Sequence, residues 1–464
     1  MTSNNEPTFA RRKTHPGPYE VACRGHRPAP ACPYPLLLLL LLAAMICFPW
    51  ITSPKVWAEE NALRAWVSGS SPWSWRETER IPGESFDVIR LELTSQEWRA
   101  LPWRHHLLAV IPRPAQAGNH VFLYVTGSGD GSGELPLLTR IARQAGIPAA
   151  VITGIPNQPL FGGRKEDELL AYTLKEYEQS GDRSWPIIFP MVKSVTRAMD
   201  ALEAYLGEHA LQGERFIVSG ASKRGWTTWL TAAVDRRVVA IAPKVFDMVN
   251  MKAQTEWAGR VYGAQSEKIR DYTELGLVDR IEAPRIRELR GWIDPWSYRH
   301  LYTMPKLILL GTNDPYWVVD AQRHYFDALP GPKAIYQAPN TGHHLRELAD
   351  PATAAFVEAV VQGRGLPGVQ WKLTRESGRT ARMELRFDVP PRAARLWRSC
   401  AEVRDFRSAP WIAEHLQGGL ERIDIPITRR TGCSFEALVA EADFTSLTGV
   451  PFSLSTEGFV IPEL

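Results

Sequence analysis

Arg215 to Val234 reads RFIVSGASKRGWTTWLTAAV. The first five residues are a short apolar run, which predicts a buried strand. Gly220-Ala221-Ser222-Lys223-Arg224-Gly225 interrupts it, and Trp226 to Val234 then reads as helix. A serine on a tight strand-to-helix turn is lifted clear of a sheet and faces helix N–H groups. Its hydroxyl is a poor nucleophile at neutral pH, and it needs a base in reach and a group orienting that base. The usual elbow is Gly-x-Ser-x-Gly; here Arg224 takes the place of the last glycine and Gly225 follows one residue later. That departure requires a different turn or room for the Arg224 side chain. A serine after a strand is also an ordinary helix cap, so the stretch has to be read with its surroundings.

Upstream, His106 to Ile111, His120 to Val125 and Ala149 to Thr153 read as strands, and Ile188 to Tyr205 has helical spacing. Downstream, Val238 to Phe246, Lys306 to Leu310 and Ala334 to Gln337 read as strands, and Pro351 to Gln362 as helix. Short apolar runs alternating with helices predict a mostly parallel sheet covered on both faces. No strand is evident between Asp247 and Pro305, so a helical cap insertion is expected at about 248–305. From 365 the rhythm changes. Val369–Thr374, Thr380–Phe387, Ala394–Arg398, Glu421–Ile427 and Ser434–Glu441 predict a C-terminal β-sandwich-like domain over 365–464.

The strand Lys306 to Leu310 runs into Gly311-Thr312-Asn313-Asp314, and the strand Ala334 to Gln337 into Thr341-Gly342-His343-His344. Ser, Asp and His, in that order on post-strand loops, form the α/β-hydrolase arrangement. Parallel strands send their carboxyl ends to one edge, where distant residues converge. The candidate nucleophile is therefore Ser222, the acid Asp314 and the base His343. Asp247 competes as acid and His344 as base. Oxyanion donors are expected from Lys223 and from Gly127 or Ser128 after the second strand. Each of these residues also has a bland reading, as cap, turn or surface loop. The tryptophans Trp226, Trp229, Trp257, Trp292, Trp296 and Trp317 either line an apolar or sugar-stacking pocket or pack a core. No metal is expected, since His105-His106 and His343-His344 are adjacent pairs and neither His-Glu-x-x-His nor Cys-x-x-Cys occurs.

The amino terminus reads as a secretory signal. A basic region containing Arg11, Arg12, Lys13, Arg24 and Arg27 precedes the leucine run Leu36 to Leu42, and Val56-Trp57-Ala58 fits a cleavage site. The leader is thus 1–58 and the hydrolase domain 59–364, with a periplasmic or secreted destination. An uncleaved signal anchor, tethering the protein to a membrane, is the alternative. The chain carries 54 basic and 51 acidic side chains, but the leader holds six basic and two acidic ones, so the remainder is close to neutral. That balance points away from a nucleic-acid partner. With 44% hydrophobic residues in 464, the chain buries too much apolar surface to be disordered. Beyond the leader only Cys400 and Cys433 remain, as one disulfide or two buried thiols.

Ser219 to Met251 resembles the PhoPQ-activated pathogenicity-related protein family. So do Thr94–His105, Arg164–Tyr172, Trp185–Asp200, Leu310–Val318 and Arg395–Trp411. The resemblance implies an exported α/β-hydrolase-fold protein with a C-terminal β domain and a triad on Ser222, Asp314 and His343. The turn at Ser222 is also similar, over six residues, to the Gly-Cys-Ser-Arg-x-Gly of glucuronoyl esterases, where a basic neighbour would help hold an oxyanion or an acidic substrate. The expected activity is a cofactor-free serine hydrolase, acting on a small-molecule or sugar ester rather than a peptide. The alternative is a binding protein on the same scaffold, with the triad a relic.

Overall fold

The computed structural model describes residues 61–114 and 118–463, with the Arg346 side chain left aside. The leader expected over 1–58 and its cleavage site lie outside the described residues. Among the described residues no helix is long and apolar enough to cross a membrane.

The first described helix is α1 (Ala62–Ser68), whose N-terminus is capped by the Asn61 side chain accepting from the Arg64 N–H. Three antiparallel strands follow: β1 (Ser74–Ile81), β2 (Phe86–Trp98) and β3 (Leu101–Pro112). β2 alternates cleanly, with Ile89, Leu91 and Leu93 buried between the polar Arg90 and Glu92. The chain then passes through β4 (His120–Val125), α2 (Leu135–Ala145), β5 (Ala149–Ile152), α3 (Glu166–Ser180) and α4 (Ile188–Glu208). β6 (Arg215–Ala221), α5 (Lys223–Val234) and β7 (Val238–Lys244) come next. Between β7 and β8 (Lys306–Gly311) the chain is helical, with α6 (Met251–Tyr262), α7 (Arg270–Glu274) and α8 (Pro284–Ile293). β9 (Lys333–Ala338) and α9 (Asp350–Val361) complete this part.

The nine strands lie in the order β1-β2-β3-β5-β4-β6-β7-β8-β9. From β5 to β9 every pairing is parallel, and β1, β2 and β3 add an antiparallel edge. Buried alternation explains why the sheet is coated on both sides. Val121, Leu123, Phe216 and Val218 point into one core with α1, α4, α5 and the helices between β7 and β8. Phe122 and Ile217 point into the other, with α2 and α9. This is the mostly parallel α/β-hydrolase architecture that the strand rhythm predicted.

From Val369 onward the chain is built of strands. β10 (Val369–Arg375), β11 (Thr380–Phe387) and β14 (Arg422–Thr428) form one antiparallel sheet. β12 (Ala393–Ala401), β13 (Trp411–Leu416), β15 (Phe435–Thr445), β16 (Pro451–Ser455) and β17 (Phe459–Ile461) form the other. Met383 and Leu385 of one sheet and Leu396 and Leu438 of the other share a core, which is the sandwich expected. Cys400 and Cys433 are joined by a disulfide with their Cα atoms 5.4 Å apart. The sandwich core is continuous with the α2 and α9 side of the large sheet, and the Gln337 N–H of β9 donates to Ser455 Oγ at 2.8 Å.

Candidate active site

The turn after β6 is unusual at its centre. Ser222 has φ 58° and ψ −125°, a backbone state that side-chain-bearing residues adopt only under constraint. Its N–H donates to the Lys244 carbonyl at 2.9 Å, and its carbonyl accepts from the Trp226 N–H at 3.0 Å, so both neighbours hold the turn. The hydroxyl makes no capping bond to α5. It lies instead 2.8 Å from His343 Nε2.

His343 stands on the loop after β9, and its Nδ1 meets Asp314 Oδ2 at 2.8 Å and Oδ1 at 3.0 Å. An ionised carboxylate only accepts, so Nδ1 carries the proton and Nε2 is left free to accept from the Ser222 hydroxyl. Asp314, buried on the loop after β8, also accepts from the Tyr316 N–H at 2.9 Å. The Tyr316 ring lies on the His343 imidazole, centroids 4.1 Å apart. The three sequence candidates therefore meet. The competitors do not share this arrangement. Asp247 accepts from Tyr325 and Gln322, and full burial raises its pKa well above the usual carboxylate range. The His344 ring stands edge-on to that of His343, centroids 6.1 Å apart.

The displaced glycine of the elbow has a steric reason. A Cβ on Gly225 would stand 2.9 Å from the Lys244 carbonyl oxygen and 3.0 Å from Phe246 Cβ. Arg224 does not reach solvent; its guanidinium folds under the β4 loop, where a Cβ on Gly127 would run into it. It donates to the Ile155 carbonyl and makes two parallel bonds, both 2.8 Å, to the carboxylate of Glu166. Lys223 Nζ pairs with Glu166 at 2.9 Å and with Asp167 at 3.3 Å. Burial pushes the Glu166 pKa up, but Arg224 and then Lys223 outweigh it and hold the carboxyl far below its ordinary value. Asp167 in turn accepts from Tyr272 at 3.1 Å and from Tyr316 at 3.3 Å.

Of the expected oxyanion donors, Lys223 opens α5, where helix N–H groups lack an intrahelical acceptor. Gly127 is pressed against the Arg224 guanidinium, and Ser128 follows on that loop. A cavity of about 140 Å³ opens beside Ser222, with Ser222, Lys223, Trp226, Phe246, Tyr316 and Trp317 in its walls. The tryptophans divide accordingly. Trp226 and Trp317 line the cavity. Trp229 packs edge-on to Tyr302, and Trp292 to Tyr177 and Phe189. Trp257 is buried and donates to Asp320 at 3.0 Å. Trp296 is half-buried against the core. Among the described residues no three His, Cys, Asp or Glu side chains gather as a metal-binding group.

Glu166, Asp167 and Tyr316 were not singled out from the sequence. Glu166 and Asp167 open α3 as an acidic first turn, which is a legible helix-start signal. Their pairing with residues 56 or more positions away has no local signature.

The sequence profile of the PhoPQ-activated pathogenicity-related protein family matches residues 63–407. Autocrine proliferation repressor protein A of Dictyostelium discoideum is 28% identical over 405 residues, covering 80% of this chain and 78% of that one. Among solved structures, the acetyl xylan esterase of Paenibacillus sp. R4 aligns with a TM-score of 0.45 at 16% identity, over 64% of this chain and 92% of its own. Acetyl xylan esterase 1 of Thermoanaerobacterium sp. aligns with a TM-score of 0.44 at 17% identity, over 64% and 90%.

Proposed function

The chain belongs to the PhoPQ-activated pathogenicity-related protein family, and from that premise we propose that it is an exported serine hydrolase cleaving carboxylic esters through an acyl-enzyme. The observation that carries this reading is one continuous chain of bonds: Ser222 Oγ to His343 Nε2 at 2.8 Å, and His343 Nδ1 to Asp314 at 2.8 Å. Ser222 Oγ attacks the acyl carbon while its proton passes to His343 Nε2. The tetrahedral oxyanion is met by the Lys223 N–H and by an N–H of Gly127 or Ser128. Collapse expels the alcohol, which takes the proton from Nε2. Water then attacks the acyl-enzyme, again with His343 as base, and releases the acid. Asp314 keeps the imidazole in the right tautomer and stabilises the imidazolium.

Esters are favoured over peptides because the helices between β7 and β8 cover the cavity with apolar side chains. Export is supported by the leader sequence and by the Cys400–Cys433 disulfide, a bond that persists in oxidising compartments. A second reading, a binding protein on this scaffold, draws support from a relative named as a proliferation repressor rather than as an enzyme. A fluorophosphonate probe separates the two. Residues 59–464 are expected to label at Ser222, and Ser222→Ala and His343→Ala to lose the label while keeping their circular dichroism. Well-folded wild-type protein that takes no label would overturn the hydrolase reading and leave the binder.

A further inference from the structure

The cavity beside Ser222 is lined mostly by apolar side chains, and each charged side chain in its wall has an oppositely charged partner. We propose that it is the acyl pocket, and that it takes an uncharged, apolar acyl group of about six carbons. This rests on the serine-hydrolase reading and specifies its substrate class.

Size is the first argument. The space is about 140 Å³, and a dry apolar cavity of roughly 150 Å³ holds a benzene-sized group. Lining is the second. Besides its aromatic residues, the walls include Leu277, Ile281, Ile286, Leu289 and Ile293 from the insertion and Leu174 from α3. Each methylene buried against such a wall adds roughly fourfold in binding.

Charge is the third argument. Lys223, Arg290 and Asp167 reach the cavity wall. Lys223 is held between Glu166 and Asp167, and Arg290 pairs with Glu282 at 3.1 Å. The buried Arg224 is spent on Glu166 in both of its terminal nitrogens. The basic residues after Ser222, which on sequence alone suggested help for an oxyanion or an acidic substrate, are therefore held in ion pairs. A carboxylate entering this space would lose its water and meet cations already in ion pairs, Arg290 keeping only its buried Nε without a partner.

Side is the fourth. The departing alcohol takes its proton from His343 Nε2 and so must leave towards that ring. The cavity walls include Ser222 and Lys223 but neither His343 nor Asp314. Towards His343 the wall is Tyr316, whose ring lies on the imidazole, so the cavity is assigned to the acyl substituent.

The test uses residues 59–464 and p-nitrophenyl acetate, butyrate, hexanoate and dodecanoate, with mono-p-nitrophenyl adipate as the charged match to hexanoate. The expected result is a kcat/KM at least tenfold higher for hexanoate than for acetate, a fall at dodecanoate, and at least a tenfold loss for the adipate monoester. Ethyl hexanoate is expected to outrun its isomer hexyl acetate. Leu289→Trp, which fills the cavity, is expected to lower the hexanoate-to-acetate ratio tenfold; a ratio is unaffected by partial loss of folded protein. A flat or falling profile from acetate, a preference for the adipate monoester, or faster cleavage of hexyl acetate would overturn the pocket assignment while leaving the hydrolase intact. No turnover of any ester, together with no fluorophosphonate label, would overturn both.

Discussion

At Ser222 the left-handed backbone and the hydroxyl's position are one fact. With φ at 58°, the side chain turns away from the α5 N-terminus, where a serine would otherwise cap, and towards His343. The strain, of order 1–3 kcal/mol, is borne by the bonds to Lys244 and Trp226. Next to it, Glu166 decides the electrostatics. Glu166→Gln removes one carboxylate from between Lys223 and Arg224 and leaves Asp167 as the remaining acidic partner of Lys223. We expect the ratio of adipate-monoester to hexanoate turnover to rise about three- to tenfold in that variant, measured as kcat/KM. Ser222, Asp314 and His343 were legible because each stands on the turn or loop after a strand whose apolar run is unmistakable. Glu166 was not, because its partners come from a different turn and only folding brings them together.

The loops that carry Asp314 and His343 are held from outside their own sheet. Asn313, next to Asp314, donates to the carbonyls of Phe406 and Ala409 at 3.0 and 2.8 Å. Asn340, on the His343 loop, exchanges two bonds with the Trp411 backbone, at 2.9 and 2.8 Å. The two loops also touch, the Asn340 N–H donating to Thr312 Oγ1 at 3.0 Å. Segment 402–411 is thus a brace for both. Asn313→Ala is expected to lower kcat about tenfold with KM little changed, since the bonds it loses, about 0.5–1.5 kcal/mol each, position the acid rather than bind substrate. A KM rise with kcat unchanged would argue against the brace. At this scale the sequence was read unevenly. The buried parallel strands stood out. β1 did not, because SWRETERI is an exposed edge with no apolar alternation. β2 alternates and α2 buries Leu137, Leu138, Ile141 and Ala145 at helical spacing, yet neither element was read from the sequence. α3 mixes acidic residues with its buried face, which blurs the helical period.

Across the whole molecule, the sandwich and the large sheet share a hydrophobic core, and the buried Arg404–Asp320 pair crosses between them. The disulfide closes a separation of 33 residues within the sandwich. In the chain-entropy account that is about 3–4 kcal/mol, so Cys400→Ser with Cys433→Ser is expected to lower the urea midpoint by a corresponding amount. Glu457 gives a pH signature. Burial raises its pKa to about 7, against the lowering bond from Trp371. The fold therefore holds the proton more tightly than the unfolded chain. Its contribution is full below the ordinary 4.5 and is lost as pH rises through about 7. Thermal melts of wild type and Glu457→Gln should converge at low pH, with wild type falling behind between those values and the gap level above them. The brace has a temporal corollary. The nucleophile's elbow is encoded before residue 230, yet the segment steadying its two partners arrives only after residue 400. A nascent polypeptide emerging vectorially lacks this support until about seven-eighths of it has been made.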